Sequence, residues 1–168
     1  MEHATPSILH VNATAHPTAQ WTLPQLREAM PSDHGYRFLI HDRDRIFSQQ
    51  LDPQVRKLGP RVLKTPVRSP QANAHCQRPL GTLRRECLDC MIPLPEAHHL
   101  QRLLKAWVQH YHHGRPHMAL GPGIPQPPPP LPTPLQAYRH RLSEHLRVVV
   151  HPILGGLHYE YRLDKQAA

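Results

Sequence analysis

Proline constrains this chain more than any other residue type, because each proline fixes its own backbone angle and removes a hydrogen-bond donor. The 168 residues include 21 prolines, well over twice the roughly 5% typical of globular proteins. The densest cluster runs from Pro122 to Pro134 and contains PQPPPPLPTP, which predicts an extended polyproline linker. We therefore expect three parts: a domain over 1–120, a linker over 121–135 and a tail over 136–168.

The charge and the hydropathy of the chain favour a protein with a polyanionic partner over a membrane protein. Twenty Lys and Arg against 12 Asp and Glu give a net charge of +8 with His neutral, which suits a polyanionic partner. No apolar run approaches the ~18 residues that a membrane helix requires, so we expect no membrane partner. The N-terminal residues do not resemble a secretory signal, and three cysteines fit reduced thiols, so we expect a cytoplasmic location.

Strand and helix patterns alternate upstream of the linker. Apolar runs predict strands over 8–14, 36–40 and 61–64, and helical spacing predicts helices over 18–30, 51–58, 72–90 and 96–112. This alternation favours an α/β fold with parallel strands. Beyond the linker we expect a short helix over 136–146, then a hairpin whose strands flank Gly155 and Gly156.

Acidic residues follow the second predicted strand, at Asp42 and Asp44. Carboxylates at a strand end commonly hold a divalent metal, which makes Asp42 a candidate ligand. The alternative is a solvated turn in which the two carboxylates pair with Arg43 and Arg45. This segment alone does not decide between them.

Four segments in one order resemble the catalytic core of DDE-type integrases and insertion-sequence transposases, in the bacterial subgroup related to retroviral integrase. They are FLIHDRDRIF (38–47), VLKTPVRSPQANAHCQR (62–78), GTLRRECLD (81–89) and HHLQRLLKAWVQHYHHGRPHMALG (98–121). The flanking segments HVNATAHPTAQW (10–21) and GGLHYEYR (155–162) are also similar to parts of that family. The resemblance implies a ribonuclease H-like α/β core that lacks its first two strands, followed by a proline-rich tail and a small hairpin.

The same resemblance implies DNA strand transfer with two Mg²⁺ ions, held by two Asp and one Glu. Asp42 falls at the second Asp and Gln77 at the Glu, whereas no residue corresponds to the first Asp. An amide oxygen is a poor substitute for a carboxylate, so we expect a DNA integration or transposition protein that is catalytically inactive. Glu86 lies nine residues after Gln77, half a turn out of phase, and would replace it only if Pro79 broke the helix.

DNA is the partner that the resemblance implies, and a homo-oligomer is left open. Arg84 lies two helical turns beyond Gln77 and matches a basic residue with which the family contacts DNA. One alternative is a non-catalytic DNA-binding protein. In that case phosphates would be contacted by five arginines: Arg68, Arg78, Arg84, Arg85 and Arg115.

A second alternative is a zinc-stabilised interaction module. Cys87 and Cys90 have the spacing of a zinc half-site, and His110 and His113 could complete it.

Overall fold

The computed structural model describes residues 1–47, 50–92, 96–121, 123–129, 142 and 144–165. Four helices and four strands make up its regular structure. In chain order they are α1 (Ala19–Ala29), β1 (Phe38–His41), α2 (Leu51–Arg56), β2 (Arg61–Lys64), α3 (Ala74–Glu86), α4 (Ala97–His113), β3 (Leu146–Ile153) and β4 (His158–Lys165). The mixed helix and strand content expected from the sequence is confirmed. None of the described helices is both long and apolar enough to cross a membrane.

The chain divides into two compact units, Met1–Leu104 and Lys105–Ala168. The division falls inside α4. The predicted boundaries at residues 120 and 135 stay predictions, because the proline-rich stretch and the predicted helix over 136–146 fall largely outside the described residues.

In the first unit, β1 and β2 pair in parallel, with Phe38 opposite Arg61 and His41 opposite Lys64. Parallel neighbours need a crossover connection, and α2 lies within it. Leu51 and Val55 of α2 are buried one turn apart, which fits a short amphipathic helix packed on one side. The polar residues that follow the two strands therefore lie at one edge of the sheet.

The strand predicted over 8–14 is wrong: no strand is formed there. His10 and Asn12 instead direct their side chains to α1, where Nε2 of His10 and Nδ2 of Asn12 lie 2.8 and 2.7 Å from Oε1 of Gln25. The segment is thus held by side chains rather than by a ladder of backbone hydrogen bonds. The ribonuclease H-like topology and its missing first two strands stay predictions.

Helix α3 is continuous through Pro79, although a proline inside a helix removes one backbone hydrogen bond. A 3₁₀ turn over Pro70–Asn73 precedes the helix, and another over Leu88–Cys90 follows it. Pro79, Leu83 and Cys87 are buried along one side. The break that would have brought Glu86 round to Asp42 is therefore absent from α3.

In the second unit, β3 and β4 form the antiparallel hairpin predicted from the sequence. Its turn contains Gly155 and Gly156, with φ of 70° and 94°, which glycine adopts without strain. The part of α4 that belongs to this unit buries Trp107 and Tyr111, whose ring centroids are 5.1 Å apart. Helix α4 and strand β4 meet where the side chains of His110 and Glu160 contact each other.

Candidate functional site

The end of β1 and the start of α3 meet at Asp42. Nδ2 of Asn73 donates to Oδ2 of Asp42 at 3.3 Å. Oδ1 of Asp42 accepts the backbone N–H of Asp44 at 3.1 Å, and Oδ1 of Asp44 accepts that of Ile46 at 3.0 Å. Both carboxylates therefore cap turns in their own loop, a role that Asp commonly takes in turns.

Gln77 lies one helical turn after Asn73 and is exposed. Its amide is uncharged and offers a single oxygen, as does that of Asn73. In the residues that the structure describes, no three His, Cys, Asp or Glu side chains lie close enough together to hold a metal ion. The groups around Asp42 therefore do not fit the two Mg²⁺ ions that the resemblance implies.

The exposed side of α3 is basic. At about 100° per residue, Gln77, Arg78, Arg84 and Arg85 fall within an arc of about 120° opposite the buried side. All four are exposed. Nε of Arg84 lies 3.3 Å from Oδ1 of Asp89, and because both side chains are exposed this ion pair leaves the arginine open to other anions.

Gly81 lies at the centre of this basic side. A Cβ on Gly81 would lie 3.1 Å from a terminal guanidinium nitrogen of Arg85, so the arginine extends over the glycine. Arg68, ahead of the helix, is exposed and has φ of 57°.

A polar cluster next to Asp42, built on the buried residues His41 and Asp52, was not predicted from the sequence. Nε2 of His41 lies 3.1 Å from Oδ1 of Asp52, and Nζ of Lys64 lies 2.6 Å from Oδ2. The other ring nitrogen of His41 faces the carbonyl oxygen of Asp42. Both ring nitrogens thus lie next to oxygen atoms.

The contacts of Asp52 with Lys64 and His41 determine the direction in which its pKa is shifted. Burial alone would raise the pKa of Asp52, but the hydrogen bonds and charges of Lys64 and His41 outweigh burial and lower it. The sequence could have indicated this contact, because His41 and Lys64 lie at the ends of two predicted strands. When those strands pair in parallel, the residues at their ends lie side by side.

Residues 59–125 match the integrase core domain family. We call this part, which is similar to that family, the integrase core segment. Two curated relatives, both named insertion element IS136 uncharacterized protein, come from Agrobacterium fabrum and Agrobacterium tumefaciens. Each is 34% identical over 95 residues, which cover 56% of this chain and 44% of the relative, so the chain spans less than half of their length. No solved structure matches the chain.

The integrase core segment contains Gln77 and all five candidate arginines, whereas Asp42 lies before it. Four of those arginines belong to the first unit. Arg115 belongs to the second, just after α4, where its guanidinium donates to the carbonyl of Pro116 at 3.3 Å. The roles of these residues in binding or catalysis stay predictions.

Cys87, His110 and His113 were considered as zinc ligands, and the two histidines have other partners. Cys87 is fully buried, and burial raises the pKa of its thiol to about 11, which keeps it protonated. Nδ1 of His110 lies 2.9 Å from Oε1 of Glu160, and Nδ1 of His113 lies 3.3 Å from the carbonyl oxygen of Gln126. The zinc-stabilised module stays a prediction.

Proposed function

We propose that this chain is a transposase-type DNA-binding protein that contacts DNA through α3 and does not itself catalyse strand transfer. The integrase core segment supports the DNA partner, as does the net charge of +8. The relatives support the same class, since both are named as insertion-element proteins.

The observation that carries the proposal is the chemistry around Asp42. In-line displacement at a phosphodiester requires two cations held near the attacking and leaving oxygens, and hard anionic oxygens hold them best. Here one carboxylate is joined to the amide of Asn73, and the amide of Gln77 follows on the next turn. Among the described residues, no third acidic, histidine or cysteine side chain joins Asp42 and Asp44 closely enough to hold a metal ion, so we derive no metal-dependent step from these residues.

The exposed side of α3 is suited to phosphate binding. Arg78 and Arg85 are seven residues apart and lie along one line of the helix. Gly81 between them carries no side chain, so a DNA backbone could approach the helix there without displacing more than the flexible end of Arg85. Because these arginines are exposed, a phosphate can reach their guanidinium groups without a change in the fold.

Salt dependence tests DNA binding directly. Each phosphate neutralised on duplex DNA contributes about −0.9 to the slope of log affinity against log salt concentration. We expect the double variant Arg78→Ala with Arg85→Ala to weaken duplex binding about 10- to 100-fold and to flatten this slope by about 2. Fluorescence anisotropy with a labelled duplex at several NaCl concentrations measures both quantities.

The matched control removes two exposed arginines from other helices, Arg27 of α1 and Arg56 of α2, which pack against each other. This variant carries the same net charge as the α3 variant, so it should keep most of the affinity. Equal losses in the two variants would mean that binding follows net charge rather than α3, and the proposed interface would be wrong.

The proposed inactivity has its own assay. Purified chain is incubated with supercoiled DNA and Mg²⁺ or Mn²⁺, and nicked and joined products are measured. We expect no product above that of the Asp42→Asn variant. Metal-dependent nicking by the unaltered chain that disappears in Asp42→Asn would overturn the proposal.

A further inference from the structure

The two faces of the β3–β4 hairpin have different surroundings. Side chains alternate between the faces of a strand, so one face carries Val149, His151, Ile153, His158 and Glu160. These five are partly buried, and Glu160 and His158 contact His110 of α4. This inner face is therefore occupied by the helix of the same unit.

The opposite face is apolar and exposed. We define the outer face by its three cross-strand pairs, which are Val148 with Leu163, Val150 with Tyr161 and Pro152 with Tyr159. All six residues are exposed, and the five other than Pro152 range from 45% at Leu163 to 70% at Tyr161. Six aligned apolar side chains exceed what scattered surface residues produce, and such patches mark interaction sites.

We propose that the outer face binds the outer face of a second copy of this chain, forming a symmetric dimer. Each chain carries a net charge of +8, so two copies repel each other on average. The outer face is uncharged along its three pairs, and its alternation places Lys165 only at one end. The same lack of charge disfavours DNA as the occupant, because phosphate binding requires cations.

The area of the outer face agrees with a weak to moderate dimer. Six half-exposed side chains, two of them tyrosines, present on the order of 500 Å² of apolar surface. Two copies would bury about 1,000 Å², near the lower limit for a specific interface. Two hairpins packed face to face at about 10 Å also form a four-stranded sandwich, which is sturdier than an isolated hairpin.

The experiment is sedimentation velocity on the full chain, free of nucleic acid, from about 1 to 100 μM. We expect the sedimentation coefficient to rise with concentration. The dissociation constant should fall as NaCl is raised, because salt screens repulsion between the two basic copies. Association through residual DNA would show the opposite salt dependence.

Leu163→Asp places a charge on the outer face and should raise the dimer dissociation constant at least tenfold. Its matched control is Leu142→Asp, because Leu142 is 50% exposed and lies outside the hairpin. Val150→Thr keeps the branched shape and strand propensity while adding a hydroxyl, so it should weaken the dimer several-fold without unfolding the hairpin.

Two results would overturn the proposal. The first is a chain that stays monomeric up to 100 μM, and the second is equal weakening by Leu142→Asp and Leu163→Asp. If the chain is monomeric and Leu163→Asp lowers its affinity for a single-stranded oligonucleotide, the outer face is a stacking surface for bases instead.

Discussion

Asp42, which follows β1, and Glu160, which lies within β4, are two carboxylates that each contact a residue near a helix end but have different surroundings. Asp42 meets the start of α3 and is bonded to a backbone N–H and to the amide of Asn73. Glu160 meets the end of α4 and is bonded to His110 and Arg162, each at 2.9 Å. Glu160 thus has a histidine and an arginine as partners, whereas these two contacts of Asp42 are with neutral groups.

This difference separates a carboxylate that holds the fold together from one that could serve chemistry. Burial alone would raise the pKa of Glu160, but the bonds and charges of His110 and Arg162 outweigh it and hold the pKa below its usual range. Glu160 is thus an ionised carboxylate that links the hairpin to α4 through His110. Asp42 contacts only its own loop and the start of α3 in these bonds, and its role in chemistry stays a prediction.

The largest expected effect comes from Gly114, which follows α4. A Cβ at this position would overlap the carboxylate of Glu160, so Gly114→Ala should force Glu160 away from His110. We expect a loss of about 3 kcal/mol in the free energy of unfolding, from steric overlap and a broken charged hydrogen bond. Urea unfolding followed by Trp107 fluorescence in a Trp21→Phe background measures this loss.

Gly35→Ala is the control for that measurement, because a Cβ there meets nothing within 4 Å. It should change the free energy of unfolding by less than about 0.5 kcal/mol. A Gly114→Ala protein as stable as the control would mean that the Glu160 contact does not hold the hairpin.

A smaller effect compares the two carboxylates themselves. Glu160→Gln removes the charge that binds His110 and Arg162 and should cost about 2 kcal/mol. Asp42→Asn keeps one acceptor oxygen for its neutral partners and should cost less than about 1 kcal/mol. If urea titrations gave the same loss in free energy of unfolding for both variants, the two carboxylates would not differ in their contribution to stability.

The pH dependence of Glu160 sharpens the same comparison. Because its folded pKa is lowered, its contribution is complete above the pKa of the unfolded chain, about 4.3. That contribution is lost as the pH falls through the lower folded value. The stability difference between the unaltered chain and Glu160→Gln should therefore shrink as the pH falls below about 4. A difference that stays constant from pH 6 to pH 3 would contradict this assignment.

The smallest expected effect is on metal binding. Gln77→Glu adds a carboxylate one helical turn beyond Asn73 and should tighten Mn²⁺ binding about tenfold relative to the unaltered chain. Gln20→Glu adds the same charge to an exposed position of α1 and should leave Mn²⁺ affinity within twofold. Isothermal titration calorimetry on the three proteins makes the comparison, and equal gains in both variants would show that only net charge matters.

Local patterns in the sequence predict most of the regular structure. Strand β2 has the predicted bounds, and α4 differs from its prediction by one residue at each end. Strand β2 follows Gly59 and Pro60, and α4 has apolar residues at helical spacing and ends before Gly114. The segment over 8–14 has a similar local pattern, yet a strand exists only where a neighbouring strand supplies hydrogen bonds, and no local pattern encodes that neighbour.

The candidate site was less predictable because its contacts join distant parts of the chain. Asn73 bonds to Asp42 across 31 residues, and His110 meets Glu160 across 50. The resemblance to integrases named Asp42 and Gln77, but the amide that reaches Asp42 is that of Asn73. Side-chain contacts of this kind depend on how elements pack, which residue spacing alone does not determine.

Cys87 and Cys90 have a practical consequence for experiments on α3. Thiolates, not thiols, react with maleimides, and burial with a pKa of about 11 protects Cys87. Cys90 is exposed at the end of the basic helix. With Cys76 replaced by Ser, a single fluorophore should attach at Cys90 and spare its neighbour, so the chain carries a built-in labelling position beside the surface where DNA is proposed to arrive.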